Sequence, residues 1–411
     1  MLNRRVVVTG MAGFSPIGND WDAISISLRS HRSGIRYLPE WEPYNGLLTK
    51  LGAPVENFSL STLYTRKNTR SMGRVSLLAT RATELALTDA GLLGDPVVCG
   101  GRTGVAYGSS VGSTSAIADF GRMLINRDIG NLNATTYLKM MGHTTTANVA
   151  VFFQVRGRVI PAVSACTSGS QAIGFAYEAI KFGLQDVMLA GGAEEICPTM
   201  AALFDALYAT STRNDEPHLT PRPFDCARDG LVIGEGGCTL VLEELGRALD
   251  RGARIYAEVT GFSTNADGLH VTQPNAETMQ EVMRQALLDA ALESSQIAYI
   301  SAHGTATEQG DITESHATQA IFGANTPISS LKSYTGHTLG ACGALEAMVA
   351  IRMMQEGWFH PTLNLDHPDP RCADLDYIMA DGRNIAAEHV MSNNFAFGGI
   401  NTSLIFSRYG N

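Results

Sequence analysis

Val159-Ile160-Pro161-Ala162-Val163-Ser164-Ala165-Cys166-Thr167-Ser168-Gly169-Ser170 is the stretch whose reading decides the fold. An apolar run ends in small residues, and a helical pattern carries on to about Phe182. A strand that turns sharply into a helix exposes its turn residue at the helix N-terminus. Free N–H groups and the macrodipole favour an anion there. Cys166 occupies that turn, so its thiol is expected to ionise below the free value of about 8.5. Ala165, Thr167, Ser168 and Gly169 are small enough to let a substrate approach. The competing reading is a buried, inert thiol, the commoner fate of this residue type.

Two polar islands lie further along. His303-Gly304-Thr305-Ala306-Thr307 follows the strand-like run Ile297-Ala298-Tyr299-Ile300-Ser301-Ala302. Lys332-Ser333-Tyr334-Thr335-Gly336-His337 follows Ile328-Ser329-Ser330-Leu331 and precedes a helical pattern over residues 339–354. Both histidines sit where a strand hands over to a loop, the usual place for function in α/β proteins. One thiol and two imidazoles make a candidate acyl-transfer site. Imidazoles can donate hydrogen bonds to a developing oxyanion. The Lys332 ammonium would help keep them neutral by disfavouring a second positive charge. The plain alternatives are two structural histidines and a solvated lysine.

The chain has 411 residues, 45% hydrophobic and 17% charged, enough for a large core and for two or three domains. Apolar runs closed by glycine, such as Val105-Ala106-Tyr107-Gly108 and Val187-Met188-Leu189-Ala190-Gly191-Gly192, alternate with helical patterns over residues 75–90 and 277–292. That alternation reads as α/β with buried sheets. Val8-Thr9-Gly10 closes the first apolar run and is echoed by Val259-Thr260-Gly261, so each could open one half of a duplicated unit. A helix-like stretch over residues 243–251 puts the boundary near Gly252. Residues 1–252 would then carry Cys166, and residues 253–411 the two histidines and Lys332.

Composition also excludes classes. A net charge of -10 argues against a nucleic-acid binder. Seven cysteines without a CxxC pair suggest reduced thiols and a cytoplasmic protein. Ten histidines without an HExxH spacing give a metal site little support. Met1-Leu2-Asn3-Arg4-Arg5 leads straight into Val6-Val7-Val8 with no signal-peptide pattern. No apolar stretch approaches the roughly 20 residues that span a bilayer.

The motifs together resemble the β-ketoacyl-acyl carrier protein synthases of the elongating, type II class. The resemblance starts at Val6 to Gly10 and Ala165-Cys166-Thr167-Ser168-Gly169. It continues through Ala190-Gly191-Gly192-Ala193-Glu194, Arg222-Pro223-Phe224-Asp225, Arg228-Asp229-Gly230 and Gly234-Glu235-Gly236. The two histidine islands and Asn394-Phe395-Ala396-Phe397-Gly398-Gly399-Ile400-Asn401 complete it, over nearly the whole chain. It implies a thiolase-like α/β fold, two similar halves in five αβαβα layers, normally dimeric. It implies decarboxylative condensation that elongates a fatty acyl, polyketide or polyene chain, with no cofactor beyond the phosphopantetheine of the acyl carrier protein. Cys166 would hold the acyl chain as a thioester. His303 and His337 would bind the malonyl carbonyl and stabilise the enolate, and Lys332 would organise them. The N–H groups of Cys166 and Phe397 would form an oxyanion hole, and Phe397 would gate the acyl pocket. Thr305 and Thr307 would hold the phosphopantetheine arm.

Some positions depart from the family. Gly-Thr-Gly-Thr-Pro or Gly-Thr-Ser-Thr-Pro is usual after the first histidine; here it is Gly304-Thr305-Ala306-Thr307-Glu308. Phe-Gly-Phe-Gly-Gly-Thr-Asn is usual at the gate, and Ala396 replaces its first glycine. Alanine restricts the backbone, so gate motion is expected to differ. Residues 131–153 help line the acyl pocket in the family, and their middle, Thr135-Thr136-Tyr137-Leu138-Lys139-Met140-Met141-Gly142-His143, stands where the family is usually richer in Phe and Pro. These departures suggest an unusual acyl chain, polyunsaturated or aryl-primed. Arg66, Lys67, Arg70 and Arg74 cluster at the start of a predicted helix, and three of them repeat every fourth residue on one face. They would dock the acidic carrier protein; a merely solvated face is the alternative.

Competing readings are weighed on the same residues. A thiolase would need a second active-site cysteine, and the stretch from Lys332 to His337 argues against it. A starter-condensing synthase would pair Cys and His with Asn. A non-catalytic chain-length partner would lack the nucleophile, though this chain could be the active or regulatory subunit of such a heterodimer.

Overall fold

The computed structural model describes residues 4–130 and 132–410. Met1, Leu2 and Asn3, part of the stretch read for a leader, lie outside the described residues, as do Asn131 and Asn411.

Ten strands form the main sheet. The first five are β1 (Val6–Phe14), β2 (Thr103–Gly108), β3 (Val159–Pro161), β4 (Val187–Glu194) and β5 (Gly236–Glu244). The second five are β6 (Ala257–Ala266), β7 (Tyr299–Ser301), β8 (Ile328–Ser329), β9 (His389–Ala396) and β10 (Ile400–Ser407). Their order is β3-β2-β4-β5-β1, then β6-β10-β9-β7-β8. In each group the outer three strands are parallel and the inner contacts antiparallel. The second group thus repeats the first, and the two join where Val6, Val7 and Val8 pair with Val259, Glu258 and Ala257.

Helices complete the layers. They are α1 (Arg74–Asp89), α2 (Ser168–Lys181), α3 (Ala276–Ala290), α4 (Glu308–Phe322) and α5 (Cys342–Glu356). α1 covers β1, β4 and β5 from outside, and α3 covers β6 and β10 with α4 against it. α2 and α5 pack on each other and touch both strand groups. The result is αβαβα, the architecture expected from the resemblance, with the site in the middle layer.

The short sequence echo has a physical basis. Thr9 is an extra residue in the pairing of β1 with β5, and Thr260 is one in the pairing of β6 with β10. After each bulge comes a glycine under a helix. A Cβ on Gly10 would meet the Ala86 carbonyl at 2.4 Å, and a Cβ on Gly261 the Ala286 carbonyl at 2.4 Å. Only glycine lets α1 and α3 lie this close to their strands.

Two boundaries differ from expectation. The strand beginning at Val159 stops at Pro161 instead of running to the nucleophile. Glu243 and Glu244 stay in β5, and the helix runs over Leu245–Asp250. The Glu244 carboxylate accepts from the N–H groups of Gly246 and Arg247, at 2.9 and 2.8 Å, and so caps that helix.

Candidate active site

The nucleophile turn is a single 3-10 turn, Ala165–Thr167, that feeds α2. Ala165 takes a left-handed φ of 50°. Ser168 pins the turn: its Oγ accepts from the Ser164 N–H at 3.0 Å and donates to the Ala165 carbonyl at 2.7 Å. Cys166 lies at the floor of a cleft of about 460 Å³.

Two expectations for this thiol fail. Cys166 is only 4% exposed, packed in an apolar cluster with Phe204, Leu339 and Cys342. Burial pushes the thiol up to about 12, against the lowering pull of Lys332 and of the Phe397 and Cys166 N–H groups. Removing water from the anion outweighs the helix terminus. The resting group is a thiol, not a preformed thiolate.

The second half supplies the imidazoles. β8 leads through a short helix, Lys332–Thr335, to His337, and a second 3-10 turn, Leu339–Ala341, feeds α5. His337 Nε2 lies 3.0 Å from Cys166 Sγ. His303, just after β7, stands edge-on to His337 with ring centroids 5.3 Å apart. All three side chains are buried at the cleft.

The partners fix the tautomers. His337 Nδ1 accepts from the Leu339 N–H at 3.3 Å, and His303 Nδ1 lies 3.2 Å from Lys332 Nζ. Nitrogens that accept at Nδ1 carry their hydrogen on Nε2. Burial and then Lys332 hold both imidazoles well below their ordinary range, with His337 adding to the effect on His303. Both are neutral donors at physiological pH.

Lys332 is an anchored cation. It donates to the His303 carbonyl at 2.6 Å and to Glu346 Oε1 at 2.5 Å. Burial opposes its charge, yet Glu346 leaves it raised above the ordinary lysine range. The Glu314 carboxylate takes the N–H groups of His303 and Gly304, each at 2.7 Å, and fixes the backbone of that loop.

Among the described residues, Cys166, His303 and His337 are the trio close enough to hold a metal, with ligand atoms within 4.8 Å of one another. The surroundings argue against that use. A metal-bound histidine donates its other N–H to an acceptor. Here each Nδ1 faces a donor, which suits an oxyanion at Nε2.

Phe397 follows β9 and stacks 5.1 Å from Phe204 at the cleft. Gly398 and Gly399, at φ of 90° and 69°, complete the turn into β10. Ala396 pairs with Ile400 in the ladder, so its side chain adds no constraint in this state. The strain expected there falls on Ala306, buried at a φ of 65°. Thr305 and Thr307 line the cleft, with their hydroxyls 2.9 Å apart. Glu308 opens α4, where an acidic residue suits the helix start, and pairs with Arg371.

The expected basic face is not one helix. Arg66–Thr69 is a separate short helix, and Gly73 caps α1. Arg74 turns to Glu235, with Nη2 2.7 Å from Oε2, and packs over Phe58. That corrects its reading as a free docking residue. Arg66, Lys67 and Arg70 are exposed and make no ion pair among the described residues. The pocket segment is also displaced from expectation. Its described part, residues 132–153, contributes nothing to the lining of the cleft. Tyr137, Leu138 and Val151 face outward instead. Asn131 lies outside the described residues.

Sequence reasoning missed three site residues: Glu346, Glu314 and Asn394. The signal for Glu346 was a lone carboxylate in an apolar helical run. Asn394 stood inside a quoted motif without a role.

A duplicated five-layer fold around a buried thiol and two neutral imidazoles defines the thiolase-like class. Residues 3–248 match the β-ketoacyl synthase N-terminal domain and residues 256–366 the C-terminal domain. The chain belongs to the β-ketoacyl synthase family. It is 37% identical over 409 residues to 3-oxoacyl-[acyl-carrier-protein] synthase 1 of Haemophilus influenzae, covering 99% of each. A crystal structure of a β-ketoacyl synthase from Burkholderia phymatum shares 57% identity at a TM-score of 0.98, covering 99% of this chain and 100% of that one. The ishigamide ketosynthase/chain length factor shares 31% at a TM-score of 0.90, with the same coverage. A type II polyketide ketosynthase, solved with its acyl-carrier protein, shares 31% at 0.87, again with that coverage.

Proposed function

We propose that this chain is an acyltransferase that elongates a carrier-bound acyl chain by decarboxylative Claisen condensation. The observation that carries the reading is the pair of neutral imidazoles presenting Nε2–H groups beside a buried thiol. In the first half-reaction Cys166 sulphur attacks the acyl carbonyl. The Cys166 and Phe397 N–H groups hold the oxyanion, the carrier thiolate leaves, and the thiol proton ends on it. In the second, the malonyl thioester oxygen accepts from His303 and His337. The bond to the carboxylate breaks, carbon dioxide leaves, and the electron pair becomes an enolate on that oxygen. The enolate carbon attacks the Cys166 thioester, and the sulphur departs as a thiolate that takes up a proton from solvent to restore the resting thiol. Lys332 keeps the histidines neutral. Thr305 and Thr307 hold the phosphopantetheine arm, and no other cofactor is invoked.

The acyl carrier protein is the proposed partner, docked on Arg66, Lys67 and Arg70. Residues 1–252 and 253–411 serve as the two halves. Among the described residues, no helix is long and apolar enough to cross a membrane. We place the enzyme in the cytoplasm, on its unpaired thiols. A related second copy is proposed at the β3 edge, where Val159 and Val163 are half exposed. A heterodimer is the second reading, supported by the likeness to a ketosynthase/chain length factor. The departure at Ala306 keeps an unsaturated or aryl-primed chain as the preferred substrate.

Malonyl-carrier decarboxylation and condensation, measured on wild type and His303→Ala, test the reading. Loss of both steps in the variant is expected. Wild type that decarboxylates no malonyl-carrier protein, alone or with its native partner, would overturn it.

A further inference from the structure

We infer that Asn394 is a positioning residue that fixes which nitrogen of His303 carries the proton. The inference rests on the oxyanion role proposed above for His303. Asn394 is fully buried in β9. Its Nδ2 lies 2.6 Å from Glu346 Oε2 and 3.4 Å from His303 Nδ1.

Glu346 decides which way the amide faces. Its Oε1 takes Lys332 Nζ at 2.5 Å, and that pairing favours the anionic carboxylate against burial, which pushes the group above its ordinary range. An amide oxygen beside Oε2 would set lone pair against lone pair, so the NH₂ edge faces Glu346. The second hydrogen on that nitrogen faces His303 Nδ1 at 3.4 Å, with the Cys342 sulphur, a weaker acceptor, at 3.8 Å.

Lys332 cannot do this alone with capacity to spare. Its three hydrogens go to His303 Nδ1, the His303 carbonyl and Glu346. His303 Nδ1 therefore meets two donors, one charged and one neutral. A hydrogen on Nδ1 would run into both. The proton is held on Nε2, where the developing oxyanion needs a donor. Asn394 enforces this without adding charge.

Two observations separate this role from packing. Asn394 Oδ1 is buried without a hydrogen-bond partner, a destabilising arrangement that an apolar side chain of this size would avoid. A Cβ at position 343 would meet that oxygen at 2.7 Å, so Gly343 leaves the amide its space.

The test separates the two half-reactions in Asn394→Asp and Asn394→Leu. In Asn394→Asp the neutral donor gives way to a carboxylate that would accept from Nδ1–H, leaving Lys332 alone to oppose it, so Nε2–H should lose its preference. Condensation should fall about 10²-fold, as when an oxyanion donor is lost. Acylation of Cys166, which uses the Cys166 and Phe397 N–H groups, should change far less. In Asn394→Leu, with Lys332 still in place, condensation should fall about tenfold, the scale of one lost neutral hydrogen bond. Ring ¹⁵N shifts of His303, identified with His303→Ala, should show Nε2–H in wild type and a shift toward Nδ1–H in Asn394→Asp. That readout needs no substrate, so it stands even if wild type fails to condense and the proposed function falls. An unchanged tautomer in Asn394→Asp would overturn the inference. If Asn394→Asp does not fold, Asn394→Leu decides: acylation and condensation falling in equal proportion, or neither changing, would overturn it.

Discussion

The two strand-to-helix turns, one in each half, share a backbone and differ in chemistry. In the first, Ala165 at a φ of 50° precedes Cys166; in the second, Leu339 at 46° precedes Gly340. Each turn is 3-10, and each helix that follows has glycine in its second position, Gly169 or Gly343. Through those glycines α2 and α5 cross closely. A Cβ at 169 would meet Ala344 N at 2.9 Å, and one at 343 would meet Ser170 N at 2.6 Å. The side chain at the apex differs. Cys166 faces the cleft, whereas a Cβ on Gly340 would meet Ser109 Cα and Ser110 N, each at 2.7 Å. The second turn has no room for a nucleophile, and its half contributes Lys332 and His337 from the preceding loop. Duplication supplies a frame; free space at one apex decides which half holds the thiol.

The largest effect should separate the two buried thiols. Cys166→Ala should lower condensation by on the order of 10⁴-fold or more, as loss of a nucleophile does. Cys342→Ala, which removes a thiol that donates to the Cys166 carbonyl and lies 3.8 Å from Asn394 Nδ2, should keep most activity. Equal losses in steady-state rate would break the distinction between the turns. Next comes Lys332→Met, which leaves Glu346 buried and unpaired. Breaking such a pair costs about 3–5 kcal/mol, readable as a lower midpoint in urea. An unchanged midpoint would mean that the pair does not anchor the second half.

Gly340→Ala should destabilise by roughly 1–3 kcal/mol through overpacking against backbone. Gly252→Ala is the control, since nothing lies within reach of its Cβ, although its φ of 66° adds some strain. A thermal melt that ranks the two in reverse would show that the second apex is not closed. A gentler probe is alkylation of Cys166 by iodoacetamide. Burial raises the thiol to about 12, so the rate should climb with pH beyond 9. A plateau below pH 8 would show a thiolate stabilised by the helix terminus after all. The smallest effect is at the surface. Arg66→Glu with Arg70→Glu should raise KM for the carrier severalfold and weaken its salt dependence. Arg74→Glu should lower stability more than it changes KM, because Arg74 is held by Glu235.

The frame was legible because its signals are local. The helical patterns over residues 75–90 and 277–292 correspond to α1 and α3. Three echoed residues marked the duplicated bulge and glycine. Cys166, His303, Lys332 and His337 stood at strand-to-loop junctions, and the structure brings them together. What failed was non-local. The depth of Cys166, and with it the raised thiol, depends on Phe204, Leu339 and Cys342 arriving from other segments. The pairing of the exposed Arg74 side chain depends on a buried Glu235, 161 residues away. The strain on Ala306 instead of Ala396 follows from backbone angles that no spacing encodes.

The most direct measurement is the intact mass of wild type and Cys166→Ala after incubation with a panel of acyl-carrier thioesters, saturated, polyunsaturated and aryl. A single acyl addition on wild type, absent from Cys166→Ala, is predicted, with the unsaturated or aryl donors loading fastest. Acyl mass retained on Cys166→Ala, or none on wild type with its native partner present, would contradict the account.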